Sequence, residues 1–295
     1  MDTANGYDYA MERRLRELSP ALHKRFTESV FGLQHILSNY LLIFPTFTDH
    51  TALHSLNVID FCNRIIGSRL ESLNADEIYT LLMGCYFHDT GMGISRKDYE
   101  EFSKKIDFGD YFETHSGDKI SDVIRDFHNE FSGLFLKKYA PMFDIYSDEH
   151  LRAIIQISRG HRKTDLNDED EYPIALPVPG GNTICFPYLS ALIRLADEID
   201  VAAGRNLSFL YDLDSLTEQK DIIEFGKHEA IKEVKVLEDR FVLIIDTDDE
   251  FVLNNIKKMA VKMQKTVDEC RRAVIGRTPY VITQKTIELR CKNED

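Results

Sequence analysis

The stretch that most restricts this chain is Leu81-Leu82-Met83-Gly84-Cys85-Tyr86-Phe87-His88-Asp89-Thr90-Gly91-Met92-Gly93. Its first half is apolar on every face. As a helix it has no polar side to give to solvent, so other elements must wrap it. It ends in an adjacent imidazole and carboxylate, followed at once by glycines. A charged Asp at the end of a buried helix is costly unless it is paired or bound to a cation. Both side chains are metal ligands by type. A His-Asp doublet also arises by chance, so it gains meaning only if the rest of the chain supplies partners.

The first two hundred residues read as further helices able to do the wrapping. Residues 1–19 are charged and expected to be peripheral. From Pro20, which suits a first helical turn, apolar residues recur at Leu22, Phe26, Val30, Leu33, Leu37 and Leu41 until Pro45. A second helix is expected over residues 49–67, carrying His50 and His54. Asn74 and Glu77 form a capping-box pattern that opens the helix ending at His88. Ser95 caps a short polar helix, and residues 106–117 read as loop. Helical spacing resumes from Asp118 through Phe135, with His128 inside it, and should stop by Pro141. Ser147 caps a helix over residues 151–157, with His161 just past its end. Residues 162–184 are charged and then rich in Pro and Gly, which predicts an exposed loop or lid. Pro187 starts a helix that holds Asp197.

After about residue 204 the pattern changes. Short strands are expected over residues 222–225, 230–237 and 240–246, with Glu238-Asp239 as a hairpin turn. A long helix over residues 249–274 and a final strand over residues 280–289 follow. The expectation is a mainly α protein: a helical body over residues 1–205 and a smaller C-terminal α+β portion over residues 206–295.

Composition removes several functions. Asp plus Glu is 50 against 36 Lys plus Arg, a net charge of −14. That argues against nucleic-acid or anionic-membrane partners, which need basic surface. The apolar runs, such as residues 40–47, are too short to span a bilayer. Five dispersed cysteines without a CxxC, and no apolar leader at the N-terminus, favour the cytoplasm. Homo-oligomerisation is left open.

The metal-capable residues outside polar tracts are, in order, His54, His88-Asp89, His128, His161 and Asp197. Packed helices can project such side chains towards one centre. Mixed imidazole and carboxylate donors accept several divalent ions, among them Mn, Fe, Ni, Zn, Co and Mg. Each residue also has a plainer reading: His128 as a hydrogen-bonded core histidine, His161 as a cation at a helix end. Arg194 and Asp200 lie three residues either side of Asp197 and so sit near its helix face.

Three local motifs carry a resemblance. His54-Ser55-Leu56-Asn57-Val58, His88-Asp89-Thr90-Gly91-Met92 and Leu192-Ile193-Arg194-Leu195-Ala196-Asp197-Glu198-Ile199-Asp200 resemble H-S-x-x-V, H-D-x-G and L-x-R-x-A-D-x-x-D of the HD-domain superfamily of metal-dependent phosphohydrolases. The resemblance covers roughly residues 30–205. It implies an HD-type helical bundle and a first metal on His54, His88, Asp89 and Asp197. Members with two metals add histidines between the doublet and the last Asp, where His128 and His161 lie. Met92 stands where many relatives, including the HD-GYP cyclic-dinucleotide phosphodiesterases, carry Lys. The motif forms are closer to HD domains found alongside GHKL-type ATPase modules.

The activity implied is hydrolysis of a phosphoester or nucleotide by a metal-activated hydroxide, with His88 and Asp89 at the reacting centre and Asp89 bridging. Arg162, Lys163, Arg194, Arg205 and His115 are the candidates to contact a small phosphorylated substrate, a nucleotide first among them. The alternative is a nucleotide- or metal-binding sensor without turnover.

Overall fold

The computed structural model describes residues 9–38, 52–145, 147–162, 164–202 and 219–292. Eleven α-helices lie among the described residues: α1 (Ala10–Leu18), α2 (Pro20–Ser38), α3 (Ala52–Ile66), α4 (Ala75–Phe87), α5 (Arg96–Phe102), α6 (Tyr111–Thr114), α7 (Ile120–Tyr139), α8 (Asp148–Arg159), α9 (Phe186–Ile199), α10 (Gln219–Ala230) and α11 (Glu250–Val274). Two small sheets complete the fold. β1 (Leu176–Pro177) pairs antiparallel with β2 (Thr183–Ile184), and β3 (Ile231–Val236), β4 (Arg240–Ile245) and β5 (Thr286–Cys291) form a sheet in that order. The protein is mainly α with a small C-terminal α+β portion.

The apolar helix is the centre of the body. All of α4 from Asp76 to Phe87 is buried, and α1, α2, α3, α8 and α9 pack around it. Its start is the expected capping box: Asn74 Oδ1 accepts from the Asp76 and Glu77 N–H groups, and Glu77 Oε2 accepts from the Asn74 N–H at 3.2 Å. Gly84 lies where α8 and α9 cross: a Cβ there would come to 2.8 Å from Ile193 Cδ1 and 3.1 Å from Ile157 Cγ2, so those side chains would have to shift. Ser95 and Ser147 cap α5 and α8 as expected, each accepting a backbone N–H three residues on.

Several sequence expectations need correction. Residues 1–19 contain α1, whose Met11 and Leu15 are fully buried and whose Glu12 pairs with His23 at 3.1 Å. Arg13, Arg16 and Glu17 on its outer face dilute the narrow apolar stripe. Tyr111–Thr114 forms a helical turn within the expected loop, and the Pro/Gly-rich segment folds into the β1–β2 hairpin. Residues 222–225 are not a strand but part of α10, which packs against α11 and whose His228 Nδ1 donates to the Val201 carbonyl at 2.8 Å. The expected start of α3 near residue 49 lies outside the described residues.

The C-terminal elements do not form a separate core. β3 and β4 make the expected hairpin, and β5 joins β4 in parallel after α11 has crossed over. Met263, Val267, Cys270 and Val274 of α11 belong to the same apolar cluster as Leu192 and Leu195 of α9. The following segment is tied down by polar contacts: Tyr280 Oη donates to Glu77 Oε2 at 2.6 Å, and Arg277 donates to Asn167 Oδ1 at 3.0 Å. Among the described residues, no helix is long and apolar enough to cross a membrane.

Candidate metal centre

Five elements bring the candidate ligands to one buried spot. His54 lies on α3, His88 caps the C-terminus of α4, and Asp89 follows it. His128 is on α7, His161 just past α8, and Asp197 in the last turn of α9. The four histidines and Asp89 are all buried, whereas about 25% of the Asp197 side chain remains exposed.

Each imidazole is held the same way. His54 Nδ1 stands 2.7 Å from Asp200 Oδ2, which Asn57 Nδ2 also reaches. His88 Nδ1 is 2.8 Å from the Cys85 carbonyl, His128 Nδ1 is 2.7 Å from the Arg125 carbonyl, and His161 Nδ1 is 2.5 Å from the Ser158 carbonyl. Carbonyl and carboxylate oxygens only accept, so every Nδ1 carries a proton and donates it. Three of these acceptors are carbonyls three residues upstream, at places where a helix stops: the end of α4, the end of α8, and a kink in α7 where Phe127 takes φ −118°, ψ 16°. Helix ends leave such carbonyls without intrahelical partners, so they are available to orient a ring.

The Nε2 atoms are therefore the ones able to offer lone pairs to a metal, and they converge. His54 and His88 face each other with Nε2 atoms 3.1 Å apart, and His128 and His161 with Nε2 atoms 2.8 Å apart. Two lone pairs at that distance repel unless a proton or a metal ion lies between them. Asp89 divides its carboxylate between the pairs: Oδ2 is 3.3 Å from His88 Nε2 and 3.5 Å from His54 Nε2, while Oδ1 is 3.2 Å from His128 Nε2 and 3.9 Å from His161 Nε2. Asp197 Oδ1 closes the first group at 3.1 Å from His54 Nε2. Two sets able to hold an ion result, His54–His88–Asp89 and Asp89–His128–His161. Donors bound at about 2.0–2.2 Å to one ion in adjacent octahedral positions lie roughly 3 Å from each other, so the spacings suit divalent ions.

Without metal the same pressure shows in the charge states. Burial alone would lower the His88 pKa, but the adjoining Asp89 and Asp197 carboxylates push it up to about 9. His161 goes the other way, held well below its ordinary value by burial and by the facing imidazoles of His128 and His88. Burial would raise Asp197, yet the hydrogen bond and charge of His54 hold its carboxyl well below the usual range.

The expected phosphate-binding residues divide. Arg162 lies beside the centre, its Nη1 3.2 Å from the Arg125 carbonyl and 3.3 Å from His128 Nδ1. Arg194 is turned to another task. Its Nε donates to the Gly160 carbonyl at 2.7 Å and its Nη2 to the Thr164 carbonyl at 2.8 Å, so it fastens the segment that carries His161. His115 is exposed, stacked on Tyr111 at 4.4 Å, with Nδ1 3.2 Å from the Tyr111 carbonyl. Lys163 and Arg205 lie outside the described residues. Met92 is buried in the core, so no cation occupies that position. Asp200, absent from the expected ligand set, orients His54; the D-x-x-D spacing around Asp197 was its signal.

Comparison with known families agrees with this geometry. The HD-CE family model matches residues 44–271, well over half of the chain. The chain belongs to this HD-domain family. The match runs beyond the motif-bearing helices through the β3–β4 hairpin and most of α11. No curated protein and no solved structure matches the chain.

Proposed function

We propose that this HD-CE chain is a metal-dependent phosphohydrolase acting on a small phosphoester, with nucleotides the first class to test. The observation that carries the reading is the Asp89 carboxylate, placed between two imidazole pairs whose Nε2 atoms face each other. Divalent ions held there would lower the pKa of a coordinated water towards neutrality and polarise a phosphoryl oxygen. The protein's part is orientation. Asp89 offers one oxygen to each position and so sets how they are spaced. Asp200 and the carbonyls of Cys85, Arg125 and Ser158 aim the four Nε2 lone pairs inward. Such outer contacts fix the tautomer and strengthen the ligand. Burial of the histidines keeps bulk water from the ligand side, and the partly exposed Asp197 marks the side from which substrate approaches. Arg162, next to His128, supplies a cation for a phosphoryl oxygen. A cytoplasmic setting suits such a substrate, and neither nucleic acid nor membrane is needed as a partner.

The second reading is a sensor that holds nucleotide or metal without turnover. It is favoured by Arg194 being engaged with backbone carbonyls and by Met92 being buried, which leaves a thin cationic lining among the described residues. Elemental analysis of purified protein, followed by a nucleotide and phosphodiester panel with the metal found, separates the two. We expect bound divalent metal, hydrolysis by the wild type and none by His88→Ala. Metal-loaded protein that binds nucleotide but releases no product moves the assignment to the sensor. Absence of bound metal, even after reconstitution, defeats the hydrolase and leaves the sensor only in its nucleotide-binding form.

A further inference from the structure

We propose that Ser132 is a positioning residue that locks the His128–His161 half of the centre onto the His54–His88 half; this rests on the two-ion reading above. Ser132 is 1% exposed and lies on α7, one helical turn beyond His128. Its hydroxyl has one proton and can also accept. The proton goes to the His88 carbonyl at 2.7 Å, and the oxygen accepts the Gly91 N–H at 2.8 Å. These two peptide groups bracket Asp89, the residue that faces both halves. The backbones are also in direct contact here: a Cβ on Gly91 would overlap the His128 carbonyl oxygen and come within 2.7 Å of the Ser132 nitrogen. One hydroxyl therefore joins α7 to the turn carrying Asp89, where His128 Nε2 stands 3.2 Å from Asp89 Oδ1.

The consequence is one-sided. Ser132 touches the His54–His88 half only at the His88 carbonyl, and His88 stays anchored by its own N–H to the Gly84 carbonyl and its Nδ1 to the Cys85 carbonyl, at the end of a helix buried along its length. His128 follows the Phe127 kink, where the helix ladder is interrupted, so its position depends on how α7 docks. Loss of the hydroxyl leaves the His88 carbonyl and the Gly91 N–H buried and unpaired, and the two halves separate by repacking around them.

The test titrates metal-free protein with Mn²⁺ alone, by calorimetry and by electron paramagnetic resonance. A carboxylate shared by two Mn²⁺ ions gives an exchange-coupled spectrum that a general loss of stability does not mimic. The wild type is expected to bind two equivalents with that signature. Ser132→Ala should keep the first equivalent, weaken the second by about 10–100-fold, as for other contacts behind metal ligands, and lose the coupled signal. Ser132→Thr, which retains the hydroxyl, should restore the second equivalent. Ser132→Cys keeps the side chain's size but weakens both hydrogen bonds, so it gives the same ordering if Ser132→Ala does not fold. Two equivalents bound by Ser132→Ala with wild-type affinity, or both weakened alike, overturn the role of Ser132 while leaving the metal centre standing. A wild type that binds no Mn²⁺ overturns the two-ion reading, and this inference with it.

Discussion

The two halves of the metal centre are built on different mechanical foundations. His54 sits in the first turn of α3, and a carboxylate, Asp200, orients its ring. His88 ends α4, which is buried along its length. His128 and His161 stand at the Phe127 kink and the end of α8, on helices that are only partly buried, and, as for His88, backbone carbonyls lie behind their rings. Outside that half, Glu130 and Arg159 form an ion pair at 2.9 Å, with side chains 32% and 20% exposed. The first half inherits the rigidity of the core. The second depends on where two helices stop and on a few polar contacts that keep those ends together. A site can therefore be fully buried and still have one side easier to disturb than the other.

Three substitutions probe that asymmetry. The largest effect is expected from Asp89→Ala, which removes the donor both halves face. Metal content measured by elemental analysis should fall at both positions, and hydrolysis should be lost; retention of both ions would show that the carboxylate is not shared. Asp200→Asn comes next. It weakens the hold on His54 alone, so competition against a chelator should show about 10–100-fold lower affinity at the first position and no change at the second. Equal weakening at both would erase the contrast between carboxylate-backed and carbonyl-backed histidines. The smallest effect belongs to Glu130→Gln. Loss of a partly exposed ion pair should lower the unfolding free energy by about 1 kcal/mol in a denaturant titration, with any loss of metal affinity confined to the second position. If the first position suffers instead, the two halves are not mechanically separate.

The sequence expectations did best where the signal is local. The capping box at Asn74 and Glu77, the serine caps of α5 and α8, and the helical spacing of α2, α7 and α9 are contained in a few neighbouring residues. α1 was missed because Met11 and Leu15 are its only buried apolar residues, set among five charged neighbours. α10 was misread because two adjacent isoleucines favour a strand by propensity, whereas packing against α11 selects a helix. Arg194 was expected to meet a substrate because it lies close to Asp197 in sequence. Its direction is set by the carbonyls of Gly160, Arg162 and Thr164, which come from another part of the chain.

By itself the sequence determined that an apolar helix must end in a His-Asp doublet inside a helical body, and it supplied the other candidate ligands in order along the chain. Helical periodicity and capping are short-range properties, so they can be read from neighbours. Tertiary structure alone decided that the histidines face one another in pairs across Asp89, and that every Nδ1 is engaged on its outer side so that every Nε2 faces the centre. It also decided that His88 ends a helix buried along its length, whereas His128 and His161 belong to helices that are only partly buried. Those outcomes depend on which carbonyl or carboxylate lies behind each ring. For His54 that partner is 146 residues away along the chain. For the other three it is a carbonyl released only because a helix stops or kinks where packing makes it do so.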